Sequence, residues 1–290
     1  MRTGFIGLGI MGSRMAGNLL KREVELSVNN RTKEKAKELV DSGAHWFEEA
    51  GELAHNSDIV FTMLSTPEAV NEVAFGDQGF VKQMQKNSLW ADCSTVNPSF
   101  SKSMYLRCRD LNIRFMDAPV AGSLKPAENA ELVFLVGGEQ EDFNQISPLL
   151  EYMGKKSHHV GLHGMGAAAK MVVNSMLGQA LIAFSEGITL GSKLGIDRDK
   201  LFDILIGGPL TAPFISLKKD NFIRNEYPAE FPLKWMHKDL YLASMSAYEN
   251  NCALPSLNTG KELYGAAKAN NMGELDMSAI YRFIMDKLND

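Results

Sequence analysis

One glycine spacing near the start of the chain limits its possible folds more than any other feature. GFIGLGIMG sets Gly7, Gly9 and Gly12 in G-x-G-x-x-G register. It stands directly after a short apolar strand pattern and directly before a helical one, as a dinucleotide-binding turn requires. Gly7 permits the tight turn, Gly9 lets a pyrophosphate approach the backbone, and Gly12 lets helix pack on strand. The phosphates then meet the helix N-terminus. Glycines in an ordinary strand–helix turn are the plainer alternative, and the flanking pattern argues against it. The whole turn, with Leu8, Ile10 and Met11, is therefore expected to hold the cofactor.

The rest of the first half keeps the same rhythm. Strands are expected at Gly4–Gly7, Glu25–Asn29, Asp58–Met63, Ser88–Asp92, Ile113–Met116 and Leu132–Val136. Helices are expected over Ile10–Lys21 and Lys33–Ser42, and others are opened by Thr66-Pro67 and by Pro98. Such alternation gives a doubly wound parallel α/β sheet. It stops after Gly161. A long helix is expected from about Gly166 to Leu194, then shorter ones over Asp199–Ile206, Pro213–Asn221, Leu233–Asn250, Pro255–Asn270 and Ser278–Leu288. The chain divides into an α/β domain, residues 1–163, and an all-α domain, residues 164–290, joined by the long helix.

Composition removes several function classes. The 290 residues are 45% hydrophobic with a formal net charge of -5 and no basic stripe, which argues for a globular chain and against a nucleic-acid partner. Cys93, Cys108 and Cys252 are odd in number and widely spaced. They form neither a disulfide framework nor a metal pattern, so a reduced, cytoplasmic protein with no metal is expected. No signal peptide is expected, because Thr3–Gly7 already reads as a strand entering a turn. The most apolar stretch, Met171–Ser185, runs uncharged for only about 15 residues against the ~20 of a membrane span. With Asn174 and Gln179 inside it, this stretch reads as a buried helix.

After the second strand the chain reads VNNRT. A site for NAD usually has an acidic residue there, on the ribose hydroxyls. Here stand Asn30, Arg31 and Thr32. A carboxylate repels a 2′-phosphate, whereas a guanidinium and a hydroxyl bind it, so NADP(H) is expected. The competing reading of Arg31 is a solvated loop charge. Met63, Leu64, Thr66 and Thr95 follow two further strands, at the carboxyl ends where such sheets bind ligands. Serine and threonine are also ordinary turn residues.

GMGAAAKMVVN places Lys170 and Asn174 four apart, on one helix face among apolar neighbours. A lysine there either snorkels or serves a site, where partial burial makes it a usable proton donor near neutral pH. FPLKWMHKDLYLA carries Lys234, His237, Lys238 and Asp239 at a helix entry, and charged first-turn residues are the bland account of them. Gly122 and Ser123 open GSLKPAENAELVFLVGG, which reads as a polar loop ahead of a buried strand.

Four motifs in order, GLGIMG, DAPVAGS, GMGAAAKMVVN and KDLYLA, resemble the β-hydroxyacid dehydrogenase (3-hydroxyisobutyrate dehydrogenase-like) family over nearly the whole chain. The NRT, GSLKPAE and FPLKWMHKD segments resemble its glyoxylate/succinic semialdehyde reductase branch. The resemblance implies an N-terminal Rossmann domain, a helical domain on a long connecting helix, and a homodimer or homotetramer. It implies Lys170 as general acid and Asn174 beside it. It also implies Gly122 and Ser123 at the substrate carboxylate, Thr95 and Lys238 at the cofactor, and Phe231 and Asp239 at the active site. The substrate would be a small aldehyde acid reduced with NADPH. The family motif usually has serine where Ala121 stands here, which removes one hydroxyl donor from the expected carboxylate site. Alternatives are a 3-hydroxyisobutyrate dehydrogenase, a tartronate semialdehyde reductase, an imine reductase, or a non-catalytic NADP-binding scaffold.

Overall fold

A computed structural model describes residues 1–286. They divide into two compact units, Met1–Lys170 and Met171 onward.

The first unit begins β1 (Thr3–Ile6), α1 (Gly12–Leu20), β2 (Leu26–Asn29) and, after a 3-10 turn at Lys33–Ala36, α2 (Lys37–Asp41). It continues with β3 (His45–Trp46), α3 (Ala50–His55), β4 (Ile59–Thr62), α4 (Pro67–Phe75), β5 (Leu89–Asp92), α5 (Pro98–Asp110) and β6 (Arg114–Asp117). It ends with β7 (Val120–Ala121), α6 (Leu124–Glu128), β8 (Leu132–Gly137), α7 (Gln140–Met153) and β9 (Gly154–Gly161). The strand order is β3-β2-β1-β4-β5-β6-β8-β7, with β9 also paired to β8.

The strand centres are apolar on both faces because helices cover both sides of the sheet, and polar residues such as Thr62, Asp92 and Asp117 stand at the carboxyl ends. Side chains alternate between the two covers. Phe5, Phe61, Ala91 and Met116 enter one core. Their neighbours Ile6, Val60, Trp90 and Phe115 enter the other. Trp90 anchors the second core, edge-on to Phe115 at 4.8 Å and to Phe80 at 5.2 Å. Its indole N–H is satisfied by Thr62 Oγ1 at 2.8 Å, and the Thr62 hydroxyl donates to Asp92 Oδ1, also at 2.8 Å.

Parallel pairing runs from β3 to β6 and then reverses. β8 pairs antiparallel with both β6 and β7, and parallel with β9. The turn back through α6 is too short for a covering crossover helix. One sequence expectation changes here, and several elements are new. The segment after Gly122 is not a loop: Leu124–Glu128 is a short helix entered from Ser123. β3, α3 and α7 were not foreseen, nor was β9 as a full strand.

In the second unit lies most of α8 (Met165–Lys193). Its best window has a mean hydropathy of 1.3, so length and composition alone would allow a membrane span. Leu181, Ile182, Phe184 and Ile188 pack instead in the unit's own core with Phe202, Phe222 and Tyr281. α9 (Arg198–Leu205), α10 (Pro213–Ser216), α11 (Lys219–Arg224), α12 (Leu233–Glu249), α13 (Pro255–Ala267) and α14 (Ile280–Asp286) follow among the described residues. The single helix expected over Pro213–Asn221 is broken at Leu217–Lys218, where the Lys218 side chain turns inward to Asp276. The expected end of the last helix at Leu288 lies outside the described residues.

The unit boundary at Lys170/Met171 falls inside α8, a few residues beyond the 163/164 division expected from sequence. Its first turn belongs with the sheet for a local reason. A Cβ at Gly166 would stand 2.3 Å from the Leu135 carbonyl oxygen, so the helix start lies directly on β8.

Candidate active site

In the first unit, strand order reverses between β1 and β4, which opens the crevice where such sheets bind ligands. Gly7 has φ +99, and a Cβ there would meet the Met63 carbonyl oxygen at 2.5 Å. A Cβ at Gly12 would fall 1.9 Å from the Gly7 carbonyl oxygen, so helix and turn touch. At Gly9 nothing lies within 4 Å of the corresponding point. The turn is therefore closed toward the protein at Gly7 and Gly12 and open outward at Gly9. Open backbone at the start of a helix suits a pyrophosphate.

Asn30 lies beside this turn. Its Oδ1 accepts the Leu8 N–H at 2.9 Å and its Nδ2 donates to the Thr32 carbonyl at 2.8 Å. It thus ties the β2 end to the glycine loop, while Arg31 and Thr32 stay exposed at that end. No acidic side chain occupies positions 30–32, which fits a cofactor bearing a 2′-phosphate. Ile10 is exposed and Met11 half-buried at the loop rim. Leu64 is held by its N–H on Ser94 Oγ at 2.9 Å. Thr66 has a structural duty, since its Oγ1 caps α4 by accepting the Ala69 N–H. Thr95 is half-buried just beyond β5.

Gly122 has φ +126 and a Cβ there would press on Leu132 and Pro126 at 2.9 and 3.1 Å. Only glycine makes this turn without strain. Ser123 enters α6 with no cap bond from its side chain. The turn is tied to α1 by Arg14 Nε on Glu128 Oε1 at 2.9 Å and by Asn18 Nδ2 on the Ala127 carbonyl at 2.7 Å.

Lys170 lies on α8 one turn past the helix start and is buried, 7% exposed. Asp117, at the end of β6, holds that start: its carboxylate accepts the Gly164 N–H at 2.6 Å and the Ala167 N–H at 2.7 Å. Burial drives the Asp117 carboxyl up to about 6, against the pull of those two N–H groups.

In the second unit, Asn174 is buried and its Nδ2 donates to Asp239 Oδ2 at 2.6 Å. Asn174 Oδ1 has no hydrogen-bond partner among the described residues. Lys238 Nζ stands 2.9 Å from Asp239 Oδ1, an ion pair without hydrogen-bond alignment. Phe231 is held by its backbone, whose N–H donates to Asp276 Oδ2 at 3.0 Å. His237 is half-buried, and desolvation lowers its pKa.

The structure therefore gathers Gly7–Gly12, Asn30–Thr32 and Met63–Thr66 around one crevice of the first unit. It gathers Asn174, Lys238 and Asp239 into one cluster of the second. Asp117 and Asp276 organise these regions and neither was singled out from sequence. The signal for Asp117 was a charge ending an apolar strand pattern, RFMD.

Known proteins resemble this chain over most of its length. Residues 2–161 match the NAD-binding domain of 6-phosphogluconate dehydrogenase. Residues 164–284 match the NAD-binding family of NADP-dependent 3-hydroxyisobutyrate dehydrogenase. The chain is 38% identical to the chloroplastic glyoxylate/succinic semialdehyde reductase 2 of Arabidopsis thaliana, over 96% of this chain and 77% of that one. It is 37% identical to glyoxylate/succinic semialdehyde reductase 1 of the same plant, over 97% of both. Among solved structures, the 3-hydroxyisobutyrate dehydrogenase of Mycobacterium tuberculosis, solved with L-serine, superposes with a TM-score of 0.89 at 28% identity, covering 98% of this chain and 99% of that one.

Proposed function

The chain belongs to the 3-hydroxyisobutyrate dehydrogenase-like family of β-hydroxyacid dehydrogenases, in its glyoxylate reductase branch, and we propose that it reduces small aldehyde acids, glyoxylate to glycolate and succinic semialdehyde to 4-hydroxybutyrate. It is an NADP-dependent oxidoreductase. When bound, NADPH supplies the hydride to the aldehyde carbon. The chain's own residues bind, orient and protonate.

The observation that carries the reading is a buried lysine one turn into a helix whose start is bonded to the end of β6. Lys170 gives a proton to the developing alkoxide, and its charge stabilises that oxygen most where water is excluded. The same β6 end leads through Ala118–Ala121 into the Gly122–Ser123 turn. Backbone N–H groups there and the Ser123 hydroxyl hold the substrate carboxylate, which sets its orientation. Ala121 contributes no hydroxyl, so the turn relies on Ser123 and backbone donors. Gly7–Gly12 receive the pyrophosphate, and Arg31 with Thr32 bind the 2′-phosphate. Thr95 of the first unit serves the nicotinamide end, and the family likeness assigns Lys238 of the second unit to the cofactor. On the second unit, Asn174, Phe231 and Asp239 are the residues that the family likeness assigns to the substrate, and Asn174 Oδ1 is an acceptor without a hydrogen-bond partner among the described residues.

The test is oxidation of NADPH against a panel of short aldehyde acids, with NADH in parallel. Glyoxylate and succinic semialdehyde should give the highest kcat/KM, and NADPH should exceed NADH. A preference for methylmalonate or tartronate semialdehyde would favour the 3-hydroxyisobutyrate or tartronate alternative. No turnover with any acid would leave a cofactor-binding scaffold.

We also propose a homo-oligomer, since Val172, Met176 and Leu190 on α8 leave apolar side chains 60–68% exposed. Patches of that kind mark association surfaces. Sedimentation equilibrium should give at least a dimer, and a monomer at assay concentration would refute it.

A further inference from the structure

We propose that Asp117 is a positioning residue for the proton donor, fixing the first turn of α8, and so Lys170, to the strand end that leads into the carboxylate turn. This rests on the reading of Lys170 as that donor.

Asp117 is 1% exposed, and its carboxylate is confined on several sides. A Cβ at Gly137 would come within 2.7 Å of Oδ1, and one at Gly166 within 2.9 Å of Oδ2. Gly164 adopts φ +88 to bring its N–H onto Oδ1. Glycines thus clear the space in which one carboxylate reaches the N–H groups of Gly164 and Ala167. These belong to the orphan donors of a helix start, normally capped by a local side chain. Here the cap comes from a strand about 50 residues earlier in the chain, so capping and tertiary attachment are one contact. Its negative charge also faces the positive end of a 29-residue helix. Three residues beyond Ala167 stands Lys170. Five residues beyond Asp117, in the other direction, stands Gly122. A shift of α8 on β6 would change the separation between proton donor and carboxylate turn.

Ionisation governs the clamp. A carboxylate accepts two N–H bonds, one at each oxygen. A protonated carboxyl keeps one good acceptor, and the other oxygen carries a hydrogen. The charged and titratable groups on surrounding elements are Asp92 on β5, Lys102 on α5, His159 on β9, Glu139 at the entry to α7, the Arg114–Asp142 pair, and His163 and Lys170 at the α8 start. His163 is stacked on Tyr105 at 3.6 Å, and burial lowers its pKa. Asp117 itself is pushed up to about 6, first by burial and also by the Asp92 charge.

The effects on stability and on rate have opposite signs. The folded carboxyl releases its proton near 6 and the unfolded one near the ordinary 3.8. Between those values the folded state holds a proton the unfolded state has lost, so stability falls as pH rises through the window. Acidification from pH 7 to 5 therefore strengthens the fold through this group while it loosens the clamp. For this group a rate lost on that limb is not a loss of stability, and Tm at each pH separates the two.

The experiment is kcat for NADPH-dependent reduction from pH 5 to 8.5 in wild type, Asp117→Asn and Lys170→Ala, with NADPH binding and Tm at each pH. Wild-type kcat should decline on the acid side with a midpoint near 6, with NADPH affinity steady and Tm not reduced. Asp117→Asn, neutral throughout, should fall about tenfold or more at pH 8 and lose the acid limb. A wild-type rate in Asp117→Asn, or an acid limb that survives it, overturns the proposal. Should that variant fail to fold, wild type decides alone, and a kcat flat from pH 5 to 8 overturns it. An undiminished rate in Lys170→Ala overturns the underlying reading as well, whereas an inactive Lys170→Ala beside an unaffected Asp117→Asn defeats the positioning role only.

Discussion

Replacing Lys170 with alanine should lower kcat by about 10²–10⁴-fold, the usual contribution of a positioned general acid, and leave NADPH affinity nearly unchanged. The separation follows from where the residues lie. On the proposed reading the cofactor phosphates belong to the Gly7–Gly12 turn and the β2 end, whereas Lys170 sits on α8. Alanine is the best helix former, so the helix persists. Arginine separates two ways of helping. If Lys170 only supplied charge, Lys170→Arg would restore much of the rate. A guanidinium does not give up its proton near neutral pH, so a true proton donor is not rescued. The expected result is that Lys170→Arg stays within about tenfold of Lys170→Ala, on the scale where tenfold equals ~1.4 kcal/mol. A kcat reduced less than tenfold in Lys170→Ala would remove the lysine from the chemistry.

Features that depend on local spacing were legible in the sequence, and features that depend on long-range contact were not. The glycine turn was readable because Gly7, Gly9 and Gly12 act within six consecutive residues between a strand and a helix. The long helix was readable from its apolar length. β9, GKKSHHVG, carries lysines and histidines because its side chains are largely exposed, so it has no apolar run to detect. α7 contains Pro148, which argues locally against a helix. α6 was hidden for a related reason: Pro126 and Glu128 resemble turn residues, and only its seating against α1 through Asn18 and Arg14 makes one helical turn persist.

The candidate site follows the same division. Lys170 and Asn174 share a helix face and could be paired by counting. The Asn174 bond to Asp239 spans 65 residues and the Asp117 bonds to the α8 start span 47 and 50. A single sequence gives no sign of which carboxylate meets which amide at that distance. A charge placed where the pattern demands an apolar residue is the one mark such groups leave, and it names the residue without its partner.

Asp276 makes the second large prediction: Asp276→Ala should destabilise the protein by about 3–5 kcal/mol, as expected when one member of a buried ion pair is removed. Its side chain is fully buried and serves several partners at once. Oδ2 takes the Lys218 ammonium at 3.1 Å and the N–H groups of Glu230 and Phe231 at 3.1 and 3.0 Å. Oδ1 takes the Ser278 N–H at 3.1 Å and hydroxyl at 2.6 Å. Truncation strands these donors in a dry core, where each unpaired group carries its own desolvation cost. Lys218 keeps one partial remedy, Glu230 Oε2 at 2.9 Å, so its loss is not total. The comparison is Lys33→Ala, which breaks an ion pair with both side chains at least 64% exposed and should cost at most about 1 kcal/mol. Urea unfolding of both variants measures the difference. Asp276→Ala should also raise KM for the aldehyde acid, because Phe231 and the entry to α12 lose their anchor. A midpoint shift no larger than that of Lys33→Ala would mean the network is redundant, and Phe231 would then be held by packing alone.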